Sequence, residues 1–327
     1  MYAAPLLPGT TPEVRGLLQE MNLQPGIYNP ANALMPLHTI SKVHFTRVLV
    51  VTDLAMADRP VYGLAADGLP DYVVFLAEID GEEEAFREEL VRIAEAGLRK
   101  VFSHCQNSPN GLSLMDWLNG ALVPSTASYV NWRGRTVVQV REEEALRRSL
   151  KTYLCDHSTE TQALSAEQIR LRLLRHVRQQ QAEGFLPLSP EAPTPIPWQI
   201  RNLLHLIYVP IVLLLLSPLL ILSLPFLLWQ IRRWERTDPA VAPPIEAAHA
   251  DELFEMENHD VTNQFNVFGS LKPGRLRWNI VRFLLWVTDY AARHVFYRGG
   301  LARVSTIHFA RWVSMDGGKR MLFSSMY

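Results

Sequence analysis

One stretch constrains this chain more than any other. Leu203 to Ile231 reads LLHLIYVPIVLLLLSPLLILSLPFLLWQI, with no charged residue from Leu206 to Trp229. A buried helix of a soluble protein seldom needs more than about 18 uninterrupted apolar residues, whereas a bilayer needs about 20. Residues 203–231 are therefore expected to form a membrane segment, with the lipid bilayer as first partner. Pro210, Pro218 and Pro225 interrupt it. Each removes a backbone donor and crowds the preceding turn, at about 3 kcal/mol in an ordinary helix, and in hydrocarbon the freed carbonyls find no water. Two geometries are open. A single kinked span would be roughly 43 Å long, more than a hydrocarbon core of about 30 Å, and would tilt. A turn at Ser217-Pro218 would instead give two arms of about 21 Å, too short to cross, in a re-entrant hairpin returning to the same face.

The flanks set an orientation. Arg232, Arg233 and Arg236 follow the segment and Arg201 alone sits just before it, which favours a cytoplasmic C-terminal side. The opening MYAAPLLPGTTPEVRG lacks the basic start and apolar core of a signal peptide. The soluble parts are expected to face the cytoplasm on both sides. The formal net charge of −1 gives no field that would draw nucleic acid. Cys105 and Cys155 are too few for a disulfide framework and suit a reducing compartment.

The rest divides around the apolar segment. Residues 1–40 are rich in turn formers and read as an irregular arm with one short helix, Pro12 to Met21. Residues 41–184 read as a first α+β domain. Strands are expected at Lys42–Val51, Tyr72–Ile79, Lys100–His104, Tyr129–Trp132 and Thr136–Val140. Helices are expected after Glu82, around Leu112 to Leu118, and at about 141–155 and 165–183. Prolines make 185–202 a stiff linker, and residues 232–270 are assigned to an acidic linker. Residues 271–327 hold a helix from Leu276 to Ala291 and a final hairpin. That helix is open to two readings. It lies at the lipid interface, with Arg275, Arg282 and Arg293 near anionic head groups alongside Arg232, Arg233 and Arg236, or it packs on a sheet with its arginines in water.

A motif recurs. Val43-His44-Phe45-Thr46-Arg47 returns as Ile307-His308-Phe309-Ala310-Arg311, each at the start of a strand and each followed by a second apolar strand. Aligning Phe75 with Phe323 sets Ile79 opposite Tyr327, and Asp316-Gly317-Gly318 reads as a tight hairpin turn. The second copy is expected to be truncated, with Asp-Gly and a helix to follow. The stretches Thr306–Trp312, Asp316–Arg320, Leu322–Ser325 and Leu271–Gly274 resemble a family of bacterial membrane-anchored proteins without an assigned activity. That resemblance implies a ferredoxin-like, dimeric α/β-barrel type of fold, repeated and joined by the hydrophobic segment, with a homo-oligomer among the partners. Dye-decolourising peroxidases and chlorite dismutases share that fold type and bind haem.

Haem chemistry directs attention to His44 and His308 as ligands and to Arg47 and Arg311 as peroxide-activating groups. The plainer reading is a structural His hydrogen-bonded near a sheet edge and an Arg paired to an acid such as Asp80. No metal site is expected: His104-Cys105 and Cys155-Asp-His157 place adjacent ligands that rarely reach one ion together. The leading expectation is a membrane-anchored binding or structural module of two related repeats; the alternative is a haem-dependent, peroxidase-like oxidoreductase.

Overall fold

The chain begins with a core strand where an irregular arm was expected. In the computed structural model, which describes residues 1–327 except 25–26, 54–55, 65–68, 192, 240–249, 252–253, 256–263, 298, 302–303 and 305, strand β1 is Tyr2–Pro5. Tyr2, Ala4 and Leu6 point into the core, and Pro5 is tolerated because β1 lies at a sheet edge. Helix α1 (Thr11–Gln19) and a small hairpin, β2 (Asn22–Gln24) with β3 (Ile27–Tyr28), follow. Strands β4 (Val43–Val51) and β5 (Tyr72–Ile79) complete a first antiparallel sheet of order β1-β5-β4.

The central strand β5 is buried on both faces, which is why it reads as an unbroken apolar run. Side chains alternate along a strand. Val73 and Phe75 join a core with helices α2 (Glu83–Phe102) and α3 (Leu114–Ala121), while Val74 and Leu76 face the opposite way. The expected strand Lys100–His104 is instead the end of α2 and a turn. Val101 and Phe102 are wholly buried with Leu98, so their branched and aromatic bulk fills the apolar side of a helix. Gly97 lets α2 approach the preceding loop, where a Cβ would stand 2.0 Å from the Leu34 carbonyl oxygen.

Beyond β6 (Ala127–Val130), helix α4 (Val137–Asp156) replaces the expected strand Thr136–Val140. Thr136 accepts from the Gln139 amide and the Gln139 side chain accepts from the Thr136 amide, a capping box whose T-x-x-Q spacing outweighs the β-branched run. A short α5 (Ser158–Thr161) leads to α6 (Ala166–Ala182). The proline-rich linker is partly docked: Leu186 is buried and Glu142 of α4 accepts from Ser189.

Helix α7 then runs without interruption from Ile196 to Thr237, about 63 Å, and there is no turn at Ser217-Pro218. The re-entrant hairpin with a broken helix is thereby corrected. Two orphaned carbonyls find new donors. Pro218 cannot donate to Leu214, and the Ser217 hydroxyl donates there at 2.7 Å. Pro210 cannot donate to Leu206, whose carbonyl lies 3.5 Å from the Tyr290 hydroxyl. Re-satisfaction of this kind lets a helix carry internal prolines. Among the described residues α7 is the one helix long and apolar enough to cross a membrane.

The stretch assigned to an acidic linker is structured at both ends: α7 absorbs Arg232–Thr237, and Gln264–Ser270 forms β7. Four of its eight acids, Glu246, Glu252, Glu257 and Asp260, lie outside the described residues. Helix α8 (Arg275–His294), β8 (Phe309–Met315) and β9 (Arg320–Met326) follow, with the Asp316–Gly318 turn joining the last two. A second antiparallel sheet has the order β6-β8-β9-β7. The two hairpins therefore lie in separate sheets rather than in one. These sheets pack face to face through Ala3, Val51, Val74 and Leu76 against Phe268, Val313, Met315 and Leu322. On the outer face of the second sheet, Tyr129 and Ala310 meet Ala292 of α8. The result is a mixed α+β architecture of helices, sheet, sheet and helix.

Candidate functional site

The two copies of the repeated motif meet across the inter-sheet layer. The His44 ring lies 5.7 Å from Phe309, the Phe45 ring 6.4 Å from His308, and the two phenylalanines 5.6 Å apart, edge to face. The contacts are reciprocal: the His of each copy touches the Phe of the other. The hairpins also share a register. Arg47 pairs with Leu76 and Val48 with Phe75, while Arg311 pairs with Ser324 and Trp312 with Phe323.

Two polar members of the motif, His44 and Arg311, brace neighbouring elements. His44 Nε2 is 2.9 Å from Asp80 Oδ1. Asp80 Oδ2 accepts from the Val137 amide at 2.7 Å, so this carboxylate ties β4 to the N-terminus of α4, where the helix dipole favours an anion. Arg311 donates to the Glu78 carboxylate and to the Ala77 carbonyl, clamping β8 to β5. Burial holds the Arg47 guanidinium below its usual pKa. His308 is exposed; its amide donates to Met326 and its carbonyl accepts from Asn131.

The two best-formed cavities, about 270 and 280 Å³, border neither His44 nor His308 and fall below the usual range of ligand sites, about 300–1,000 Å³. The first is lined by Tyr2, Phe75, Ala77, Ile79, Glu83 and Phe86 with their neighbours. The second lies between α4 and α6, where Ser149 Oγ is 2.9 Å from His176 Nε2. No cluster of metal-ligating side chains occurs among the described residues. Cys105 is buried, and its thiol is pushed up to about 12 by desolvation.

A polar cluster that sequence reasoning missed sits between the sheets. Arg320 is fully buried. Its Nε donates to Asp316 at 2.6 Å, one terminal nitrogen donates to the Pro70 carbonyl at 2.8 Å, and the guanidinium lies 4.6 Å over Phe268 and 5.3 Å over Tyr72. The Tyr72 hydroxyl donates to the other Asp316 oxygen at 2.6 Å; burial first, then Asp316, pushes that phenol up to about 12. Asp316 adopts a positive φ of 53° in the turn. Nearby, Asp53 accepts from the Ser270 hydroxyl at 2.5 Å, and Arg59 donates to the same hydroxyl at 2.7 Å.

The third constellation is the seam between α7 and α8. Near the start of α7, His205 Nδ1 lies 2.9 Å from His294 Nε2, and Arg293 donates to Asn202 at 2.8 Å while stacking over Trp198. Burial, then His205, holds the His294 imidazole below its ordinary value. At the far end, Arg277 grips Asp238 with two bonds of 2.6 Å and stacks 4.3 Å over Trp234, and Lys272 adds a bond of 3.0 Å. Straight, the stretch from His205 to Trp234 would measure about 43 Å, and that from Arg277 to His294 about 26 Å.

Helix α8 is thus held between the second sheet and α7, as in the second of the two readings left open for it, packing on a sheet. Of its arginines, Arg275 and Arg282 are exposed, and Arg293 is engaged with α7. Arg232, Arg233 and Arg236 are exposed on the last turns of α7, with Arg233 over Trp229. The Leu271–Gly274 stretch was the available signal for the far end of the seam: it supplies Lys272, and Gly274 opens α8 at a φ of 125°. Compared with protein-family models, curated proteins and solved structures, the chain matches none.

Proposed function

We propose that this chain is a membrane-anchored binding or structural module in which two related, ferredoxin-like repeats pair within one polypeptide, as two subunits pair in a dimeric α/β barrel. The reading draws on the reciprocal rings of His44–Phe309 and Phe45–His308, because self-complementary contacts of this kind are what a two-fold pairing of like units generates. A contact that separate chains reach as a homo-oligomer is then made inside one chain. His44 and His308 serve that pairing through their ring contacts, and Arg311 through its bonds to Glu78 and Ala77.

The observation that carries the anchoring is the outward side of α7, where Leu215 and Leu222 are 74% and 80% exposed in a stretch without charge. Water penalises that surface and acyl chains do not. Arg232, Arg233 and Arg236 would meet anionic head groups at its end.

Fractionation of cells making the full chain tests the anchoring. The wild type is expected in the membrane pellet after alkaline carbonate extraction. The double substitution Leu215→Arg and Leu222→Arg, at about 2.5–3.5 kcal/mol per charge in hydrocarbon, is expected to move it to the supernatant. A wild-type chain found in the supernatant overturns the reading.

A further inference from the structure

The strand pairing restricts how α7 can meet a bilayer. Strand β6 precedes α7 and β8 follows it, yet they are hydrogen-bonded neighbours, with Ala127 opposite Trp312 and Val130 opposite Phe309. Both ends of α7 are also fastened to one short element. Asn202 and His205 engage Arg293 and His294 at the end of α8, and Asp238 engages Arg277 near its beginning. Helix α8 is only about 30 Å long.

If α7 crossed a bilayer, its ends would lie on opposite faces. Helix α8, which touches both, would then have to run through the hydrocarbon beside it. Between its two docking points α8 carries Asn279, Arg282 and Asp289, and Asp289 accepts from the Ser128 amide of β6. Ionised side chains and an open sheet edge are not accommodated in lipid hydrocarbon. Crossing therefore requires either dismantling the second sheet or immersing it.

We infer that α7 does not span the membrane. It lies in one leaflet as a monotopic anchor, its outward face among the acyl chains and its two ends at the same water interface. Charge and aromatic placement fit one interface at both ends. Arg201 with Trp198 flanks the apolar run on one side, and Arg232, Arg233 and Arg236 with Trp229 and Trp234 flank it on the other. Val209 is the buried residue of α7, residues such as Val212, Leu213 and Leu220 are half-buried, and Leu214, Leu215, Leu219 and Leu222 are exposed. The partner is a single leaflet, recognised by apolar area with cationic rims. This rests on α7 being the anchor proposed above.

Cysteine accessibility in the full chain decides the matter. In a Cys155→Ser background, with Cys105 buried, single cysteines go to Glu191 before α7, Lys319 after it, and Leu215 on its outward face; all three positions are exposed. Right-side-out and inverted membrane vesicles are then treated with a membrane-impermeant maleimide. E191C and K319C are expected to label in the same vesicle type and in no other, and L215C in neither. Labelling of E191C and K319C in opposite types overturns the monotopic placement and leaves the anchor standing. Recovery of the chain in the soluble fraction, with L215C labelled there or joined by a disulfide to a second copy, overturns both.

Discussion

Replacing Asp316 by Asn tests whether the ion pair between the sheets is needed to seat a buried charge. Arg320 has no access to water, and Asp316 is its one carboxylate partner among the described contacts. Asn nearly preserves the shape and tolerates the positive φ of 53° at this turn, so the substitution isolates charge from backbone strain. Removing one partner of a buried pair typically costs about 3–5 kcal/mol, because the remaining charge stays desolvated. Arg320→Met should cost less. Asp316 keeps the Tyr72 hydroxyl and some contact with water, and a thioether suits the gap between Tyr72 and Phe268. Losing the bond to the Pro70 carbonyl leaves a cost of about 1–2 kcal/mol. At about 2–4 °C per kcal/mol for a domain of 150–250 residues, Asp316→Asn lowers Tm by about 6–20 °C and Arg320→Met by about 2–8 °C. Thermal melts followed by circular dichroism, in one detergent and at one pH, provide the comparison. If Arg320→Met proves at least as damaging as Asp316→Asn, the pair acts through packing and the charge argument fails.

Gly97→Ala sets intrinsic propensity against packing: a helix interior prefers Ala by about 1 kcal/mol, but the added Cβ meets the Leu34 carbonyl, so a net loss of about 1–3 kcal/mol is expected in urea unfolding; a stabilised variant would show that the loop yields freely. Phe45→Ala and Phe309→Ala should couple by about 0.5–1.5 kcal/mol in a double-mutant cycle, and additive losses would dissociate the two motif copies. The His294 imidazole is depressed in the folded state, so its contribution is present above the unfolded pKa near 6.5 and is lost as pH falls through the lower folded value. The wild type should therefore lose more Tm than His294→Gln between pH 7.5 and 5, and equal losses in the two proteins would exclude this histidine as the cause.

Much of the first sheet was legible. Strands β4 and β5 announced themselves through β-branched runs, and the shared register of the hairpins follows from aligning Phe75 with Phe323. Local signals misled where tertiary contacts decided. Val101 and Phe102 look like strand residues, but the i, i+3, i+4 pattern from Leu98 places them on the buried side of α2. Thr136 to Val140 looks like a strand until its capping box is weighed. The prolines of α7 suggested a break because the sequence does not show Tyr290 arriving from another helix to meet the Leu206 carbonyl. The candidate histidines were visible and the motif copies do meet. Arg320 was the harder case, since nothing local distinguishes it from a solvated arginine; its burial follows from Phe268 and Tyr72, distant in sequence.

The pairing of β6 with β8 also sets a timetable. Val130 and Phe309 are neighbours in the sheet, yet a ribosome adding roughly 5–20 residues per second makes the second on the order of ten to forty seconds after the first. Through that interval β6 has no strand to pair with, and the greasy length of α7 emerges before its cover, α8, exists. A nascent chain drawn into a translocation channel as α7 appeared would have its two halves parted before they could join. On the single-leaflet placement inferred above, α7 has to stay on the side where it was made until the last hairpin has been released.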